Sequence, residues 1–229
     1  MLLNTKALKT ALLCAGKDDA RYMLNGVKVE TDGTVVGTDG HMLGIVSPQT
    51  EHEEREYPAI PGVETPASPE PLTPCVIARA GIEKVLKTTG KPPKHFPILE
   101  NVLLDTAQTN KNGKAVIHNA VDLDNPQTLN LEKVDGTYPR YTACIPKEEP
   151  AYRIYFDAAL LARLAQAAQT LHGKDTAVLE LEFFEHGLSP MRATTTNKSG
   201  QSLTAIIMPF KWSKQAGVLP RTEAVDAES

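Results

Sequence analysis

The strongest constraint on this chain is internal repetition. A strand-like run, a helix with one apolar stripe and three further strand-like runs follow one another three times, at about residues 1–50, 73–146 and 152–212. In the first copy the spacing predicts a helix over 5–15, with Leu8, Ala11, Leu12 and Ala15 on the buried face, Lys6 and Lys9 on another, and Gly16 as its stop. Strands are predicted over 21–30, 34–38 and 42–46, with Asp32-Gly33 as a hairpin turn. The second copy has a strand at Cys75-Val76-Ile77 and a helix over 79–89 that turns Ile82, Val85 and Leu86 inward and stops at Gly90. Strands over 96–104, 115–121 and 128–132 follow, with Lys111-Asn112-Gly113-Lys114 as a hairpin turn. In the third, 153–156 reads as a strand and Asp157 as a helix N-cap. Leu160, Leu164, Ala167 and Leu171 line a helix that ends at Gly173, and strands are expected over 177–184, 191–196 and 203–209. A helix with one apolar stripe must bury it, so each is expected to cover one face of an antiparallel sheet in an α+β fold.

Between the first two copies the acidic run Glu51-His52-Glu53-Glu54-Arg55-Glu56 is followed by Pro58, Pro61, Pro66, Pro69, Pro71 and Pro74. Proline at this density fixes φ and removes backbone donors, so 51–74 is expected to hold no regular element, whether as a surface connection or as a domain linker. The polar stretch after Trp212 is expected to be disordered. A formal net charge of −4 argues against coating nucleic acid by bulk charge and leaves a local basic surface open. Met1-Leu2-Leu3-Asn4-Thr5-Lys6 turns polar too early for a signal peptide, and no apolar run is long enough to span a bilayer. A cytoplasmic protein without a membrane partner is the expectation, with Cys14, Cys75 and Cys144 as free, buried thiols.

Three stretches carry a resemblance. Arg21-Tyr22-Met23-Leu24-Asn25-Gly26 followed by Gly37-Thr38-Asp39-Gly40-His41-Met42-Leu43-Gly44 resembles R-Y-x-L-N-G…A-T-D-G-H-R-L-A of the bacterial sliding clamp, the β subunit of DNA polymerase III. Residues 134–146, Val-Asp-Gly-Thr-Tyr-Pro-Arg-Tyr-Thr-Ala-Cys-Ile-Pro, resemble the V-D-G-x-F-P-D-Y-R-R-V-I-P that closes the clamp's middle domain. Ser189-Pro190 with Ile206-Ile207-Met208-Pro209-Phe210-Lys211 is similar to the family's S-P…V-V-M-P-M-R carboxy terminus. The resemblance implies the DNA-clamp fold, with antiparallel sheets outside and helices on the DNA-facing side. It assigns 1–148 to a domain like the clamp's middle domain, 149–213 to a single unit like the last half of its final domain, and 214–229 to a tail. The family's first domain and the first half of its third have no counterpart. An unpaired half-domain exposes a sheet edge, so a homo-oligomer in which units from different chains complete a domain is expected.

The implied function is that of a polymerase processivity factor, with no catalytic role, cofactor or metal. Its partners would be double-stranded DNA, a DNA polymerase, other proteins carrying clamp-binding motifs, and a clamp loader. Charge fits this: residues 5–17 hold +3 through Lys6, Lys9 and Lys17, and residues 78–94 hold +4 through Arg79, Lys84, Lys87, Lys91 and Lys94 against Glu83. Residues 157–174 hold +1 through Arg163 and Lys174 against Asp157, so the rest of the chain stands at −12. Basic helices with an acidic remainder suit loose phosphate contact, although lysines also solvate the outward face of any amphipathic helix. The resemblance further implies a peptide groove at Arg21, Leu24, Thr38, Gly40, His41, Met42, Leu43, Pro139, Cys144, Ile206, Met208 and Pro209. Apolar and polarisable side chains there accept Leu or Phe anchors, or else simply pack a core between units. Met42 stands where the family has Arg, Ala143-Cys144 where it has Arg-Val, and Phe210 where it has Met. A second expectation is a clamp relative that forms no ring and acts as a binding module or decoy for clamp-binding peptides.

Catalysis finds little support. Asp39 and His41 share one side of a strand and form a conceivable acid–base pair, but no nucleophile, phosphate loop or metal-ligand spacing accompanies them. Asp-Gly-His is more often turn chemistry.

Overall fold

Helix α1 (Thr5–Cys14) begins where the Asn4 side chain accepts a hydrogen bond from the Lys6 amide at 2.9 Å, directly after strand β1 (Leu2–Asn4). The structure is a computed structural model and describes residues 1–61, 63, 71–90, 94–111, 113–150, 153–184 and 189–209. The chain divides into two compact units, Met1–Pro146 and Lys147–Ser229.

The first unit contains two copies of the repeat. After α1 come β2 (Gly26–Val29), β3 (Val35–Thr38) and β4 (Leu43–Val46). The second copy runs β5 (Cys75–Ala78), α2 (Arg79–Thr89), β6 (Asn101–Leu104), α3 (Thr106–Lys111), β7 (Lys114–Asn119) and β8 (Gln127–Glu132). These strands make two four-stranded antiparallel sheets, ordered β4-β3-β2-β5 and β1-β6-β7-β8. Each copy lends its first strand to the other copy's sheet: β5 lies against β2 with Val27 opposite Ile77, and β1 against β6 with Leu3 opposite Val102. The two helices and both sheets share one core, in which Leu8, Leu12, Val27, Ile77, Ile82, Val85, Val102 and Ile117 are buried. Helix α1 seats on β3 at Gly37, where a Cβ would overlap the Ala11 carbonyl oxygen.

Several sequence expectations need correction. Residues Asp19–Leu24 form a 3-10 turn rather than the start of a strand, because Asp18 caps them by accepting from the Ala20 amide at 2.9 Å. Pro97–Glu100 is likewise a 3-10 turn, and strand pairing begins only at Asn101. The connection from β6 to β7 carries α3 rather than a tight turn at 111–114, and Asp105 holds its start by accepting from the Gln108 amide at 2.9 Å. The proline-rich stretch holds a 3-10 turn, Glu54–Glu56, and is no bare linker. Tyr57 and Ile60 are buried against Leu2, Leu99 and Leu103, and the Tyr57 hydroxyl donates to the Asn101 carbonyl at 3.1 Å and accepts from the Ala120 amide at 3.0 Å. The three cysteines are free, but only Cys14 is buried; Cys75 is half-buried and Cys144 exposed.

The second unit contains α4 (Ala158–His172), β9 (Glu180–Glu182), β10 (Met191–Thr196) and β11 (Ser202–Ile207), the strands ordered β11-β10-β9. Asp157 caps α4 by accepting from the Ala159 amide at 2.8 Å, and Gly173, at φ 64°, ends it. Its core joins Leu164 to Met191, Ala193 and Ile207, with Phe156, Leu160, Leu179 and Leu203 packed around them. Residues 153–156 lie outside any strand, and β9 is shorter than the 177–184 run expected of it. Ala168 rather than Ala167 faces inward, while Leu160 and Leu164 keep their expected places in the core. No helix among the described residues is long and apolar enough to cross a membrane. The expected tail beyond Trp212 lies outside the described residues.

Candidate functional site

The centre of the site in the first unit is the turn between β3 and β4. Thr38, 8% exposed, donates from its hydroxyl to the Met42 carbonyl at 2.7 Å and accepts from the Gly40 amide at 3.1 Å. Asp39 accepts from the amides of His41 at 2.8 Å and Met42 at 2.7 Å, and these two bonds hold its carboxyl below the usual carboxylate range. The carboxylate is therefore occupied by backbone, and Asp39–His41 is turn chemistry. Gly40 sits at φ 90°, a conformation that glycine adopts without strain. Met42 is thrust outward with 58% of its surface exposed, while Leu43 is half-buried against Val36, Val76 and Tyr138.

Two other motif stretches converge on this turn. A Cβ on Gly40 would lie 3.1 Å from Arg21 Nη1 and 3.9 Å from Leu24 Cδ1, so the 3-10 turn flanks it directly. Gly16 ties the same parts together, its amide lying 2.9 Å from the Leu24 carbonyl and 3.1 Å from that of Thr38. Gly136 approaches the 3-10 turn at Met23 Sδ and Tyr22 Oη, which brings the 134–146 motif alongside. Tyr138 is buried, and burial pushes its phenol up to about 12 against the opposing pull of the Thr38 backbone, to which its hydroxyl is directed. Tyr141 donates to Glu30 Oε1 at 2.8 Å; burial first, then that carboxylate, pushes its phenol up to about 12 as well. Lys28 Nζ stands 5.4 Å from the Tyr141 ring centroid and 2.7 Å from Glu30, closing a small polar cluster.

Arg21, Leu24, Thr38, Gly40, His41, Met42 and Leu43 thus form one locality. Pro139 and Cys144 are both exposed in the stretch that follows Tyr138. Sequence reasoning missed Tyr22, 59% exposed beside Gly136, and Ile145, 44% exposed; the aromatic at Tyr22 lay inside the quoted motif and was the available signal. Ile206, Met208 and Pro209 belong to the second unit, where Ile206 and Met208 are 60% and 58% exposed. Those two side chains, with Leu164, Ala167 and Leu171 of α4, line an open groove of about 910 Å³. A packed-core role inside either unit does not suit Met42, Ile206 or Met208.

The helical charges divide into three groups. Lys6, Lys9, Lys17, Lys84, Lys87 and Lys94 are exposed, with Lys6 paired to Glu100 at 2.6 Å. Arg79 corrects the sequence expectation, since its guanidinium turns inward. It donates to the carbonyls of Leu12 at 3.1 Å, Ala15 at 2.7 Å and Gly16 at 2.8 Å, and to Asn25 Oδ1 at 3.2 Å, capping the carboxy end of α1. Arg163 is exposed but lines the groove of the second unit. Lys91 lies outside the described residues. No group of three or more His, Cys, Asp or Glu among the described residues is placed to hold a metal ion.

No family model and no curated protein matches the sequence. Solved structures do. The Caulobacter crescentus β sliding clamp superposes with a TM-score of 0.63 at 17% identity, over 91% of this chain and 50% of that one. The Bacillus subtilis DNA polymerase sliding clamp gives 0.65 at 15%, over 91% and 48%. The chain has the sliding-clamp fold. The clamp of Pseudomonas aeruginosa agrees, at 0.61 and 14% identity over 91% and 50%. This chain therefore spans about half the length of the clamps it matches, with the antiparallel sheets and packed helices of their fold.

Proposed function

We propose that this protein is a sliding-clamp-like processivity factor, a non-enzymatic cytoplasmic accessory that binds duplex DNA without sequence preference and tethers a polymerase through a peptide-binding surface. The observation that carries this reading is the meeting of two family-like motifs, distant in sequence, at Gly40 and Gly136 within a clamp fold, with Met42 left exposed beside them. Arg21, Leu24, Thr38, Gly40, His41, Met42, Leu43, Pro139 and Cys144 supply the anchor-accepting surface of the first unit, and Ile206, Met208 and Pro209 that of the second. The exposed Met side chains repack around different apolar anchors. Duplex DNA meets the lysines of α1 and α2 and of the loops that follow them, Lys6, Lys9, Lys17, Lys84, Lys87 and Lys94. Lysine heads neutralise phosphates and release counterions without reading bases, so affinity falls with salt at a log–log slope of about −5 if all six engage. Holding a polymerase at its template raises its effective concentration at the primer end, and successive additions replace repeated capture. Assembly into a homo-oligomer and delivery by a clamp loader belong to the same reading.

Retention on nicked circular duplex against the same DNA linearised tests it, together with fluorescence anisotropy of a short peptide carrying Leu and Phe anchors. Expected are retention on circles, loss from linear ends, and peptide binding weakened at least tenfold by Met42→Asp. Peptide binding without any DNA retention would replace this reading with that of a non-ring binding module. Failure of both would remove it.

A further inference from the structure

We infer, on the peptide-binding reading above, that Glu30 and Tyr141 form a clasp that positions Pro139 and Cys144 for peptide capture. Neither residue belongs to the anchor-accepting surface itself; they are positioning residues that act through the stretch carrying it. Residues 134–146 leave the sheet beside β5, where the Val134 amide donates to the Val76 carbonyl at 2.8 Å. Beyond that bond the stretch lies outside any sheet, so its course over the first unit is set by the side chains that anchor it.

Two tyrosines serve as anchors. Tyr138 is buried with Val36 and Val76, and its hydroxyl is directed to the Thr38 backbone. Tyr141 packs against the same cluster and donates to Glu30 Oε1 at 2.8 Å. Residues 142–146 are all exposed, so Tyr141 is the last side chain of the stretch that is seated on the sheet. Pro139 and Arg140 stand exposed between the two anchors, and Cys144 follows the second. The main chain turns tightly at this point, the Tyr141 amide donating to the Pro139 carbonyl at 2.8 Å and the Ala143 amide to that of Arg140 at 3.1 Å. Loss of the Tyr141 hydroxyl would release this turn from the sheet and leave Tyr138 in place.

Glu30 is a firm acceptor. It directly follows β2, and its amide donates to the Thr34 carbonyl at 2.9 Å, which fixes its backbone in the hairpin. Lys28 Nζ lies 2.7 Å from the same Oε1, and 5.8 and 5.4 Å from the ring centroids of Tyr138 and Tyr141. With the Glu30 side chain 20% exposed, the Tyr141 bond is charge-assisted and largely shielded from water. Burial and the carboxylate hold the Tyr141 phenol up to about 12, so it remains a donor throughout the neutral range. Strand β2 pairs with β3, Lys28 opposite Val36, and β3 runs into Thr38 and the turn that exposes Met42. One pair of strands thus fixes both parts of the surface, Met42 through the turn and Pro139 and Cys144 through the clasp. A clasp of this kind sets the fraction of molecules whose surface is complete, and apparent affinity scales with that fraction.

Stopped-flow binding of the short peptide carrying Leu and Phe anchors to the full chain tests the inference, with hydrogen exchange of the same variants. Tyr141→Phe keeps the ring and removes the donor. It is expected to slow association roughly tenfold and leave dissociation unchanged, because the bound peptide meets the same completed surface. Glu30→Leu is expected to do the same, and the two changes together to be no worse than either alone. Glu30→Gln keeps an acceptor oxygen and is expected to recover most of the rate. The amides of Tyr141 and Ala143 should exchange faster in Tyr141→Phe, while those of β2 and β3 hold their rates. Wild-type peptide binding with association indifferent to Tyr141→Phe overturns the clasp alone, as does unaltered exchange of those two amides. A change confined to dissociation overturns it too, since Tyr141 would then touch the peptide. A wild-type chain that binds no peptide removes the proposed function, and with it the role of the clasp in capture.

Discussion

Replacing Arg79 separates two roles that the sequence alone could not. Its guanidinium makes five hydrogen bonds, two to Gly16 O and one each to Leu12 O, Ala15 O and Asn25 Oδ1, with the side chain 17% exposed. Charge-assisted bonds of this kind contribute about 1.5–3 kcal/mol each when the partner is left unsatisfied, but the shared carbonyls are not independent. The positive charge at the carboxy end of α1 adds about 0.5–1 kcal/mol. Arg79→Met keeps the aliphatic stem and removes the donors, so a loss of about 3 kcal/mol from the first unit is expected. Hydrogen-exchange mass spectrometry reads this locally: globally exchanging amides of α1 and β2 should exchange roughly a hundredfold faster or more, since about 1.4 kcal/mol is tenfold. Arg79→Lys should recover little, because a single ammonium cannot fork across three carbonyls. If instead Arg79→Met leaves exchange unchanged and lowers DNA affinity, the capping role is wrong and the guanidinium faces phosphate.

Other substitutions probe neighbouring features. Gly37→Ala is expected to cost more than about 4 kcal/mol or prevent folding of the first unit, because its methyl would overlap the Ala11 carbonyl; soluble expression and thermal unfolding check this. His118 is buried, with Nδ1 2.9 Å from Thr128 Oγ1, and burial lowers its pKa from the ordinary 6.5. The folded state then binds fewer protons than the unfolded, so stability falls as pH drops from about 6.5 toward the depressed folded value, by up to about 1.4 kcal/mol per pH unit. Urea unfolding across that range should show this slope, and His118→Phe should flatten it. Tyr138→Phe removes a buried hydroxyl whose contact with the Thr38 backbone is too long or bent for a full hydrogen bond, and is expected to change stability by no more than about 1 kcal/mol, measured by the same unfolding curves.

The elements most legible in the sequence were those fixed by their own residues. Helices α1, α2 and α4 carried their stripes, stops and, at Asp157, a cap, and they lie within a residue or two of their expected bounds. Misses arose where a partner decides the outcome. Residues 153–156 have strand composition yet lie in no strand, because pairing with a neighbour and not composition decides whether a strand forms. At 21–24 the run read as the start of a strand, whereas the Asp18 side chain nucleates a 3-10 turn over Asp19–Leu24; the capping residue was visible and outweighed. The α3 helix was hidden in the same way, with Asp105 as its signal. For the candidate site, the resemblance to the clamp motifs named Arg21, Gly40 and Met42 together, and Arg21 does lie against Gly40 in the structure. Charge alone put Arg79 among the DNA contacts because composition records that a guanidinium is present and not which way it turns.

The exchange of β1 and β5 between the halves of the first unit bears on how that unit can be taken apart. A protease that cut the proline-rich connection would sever the covalent thread without releasing either fragment, since each would still be gripped by a ribbon the other requires. The nicked protein should travel as one body through a sizing column and fall into two only in denaturant. Neither fragment, made by itself, would hold a whole sheet of the first unit.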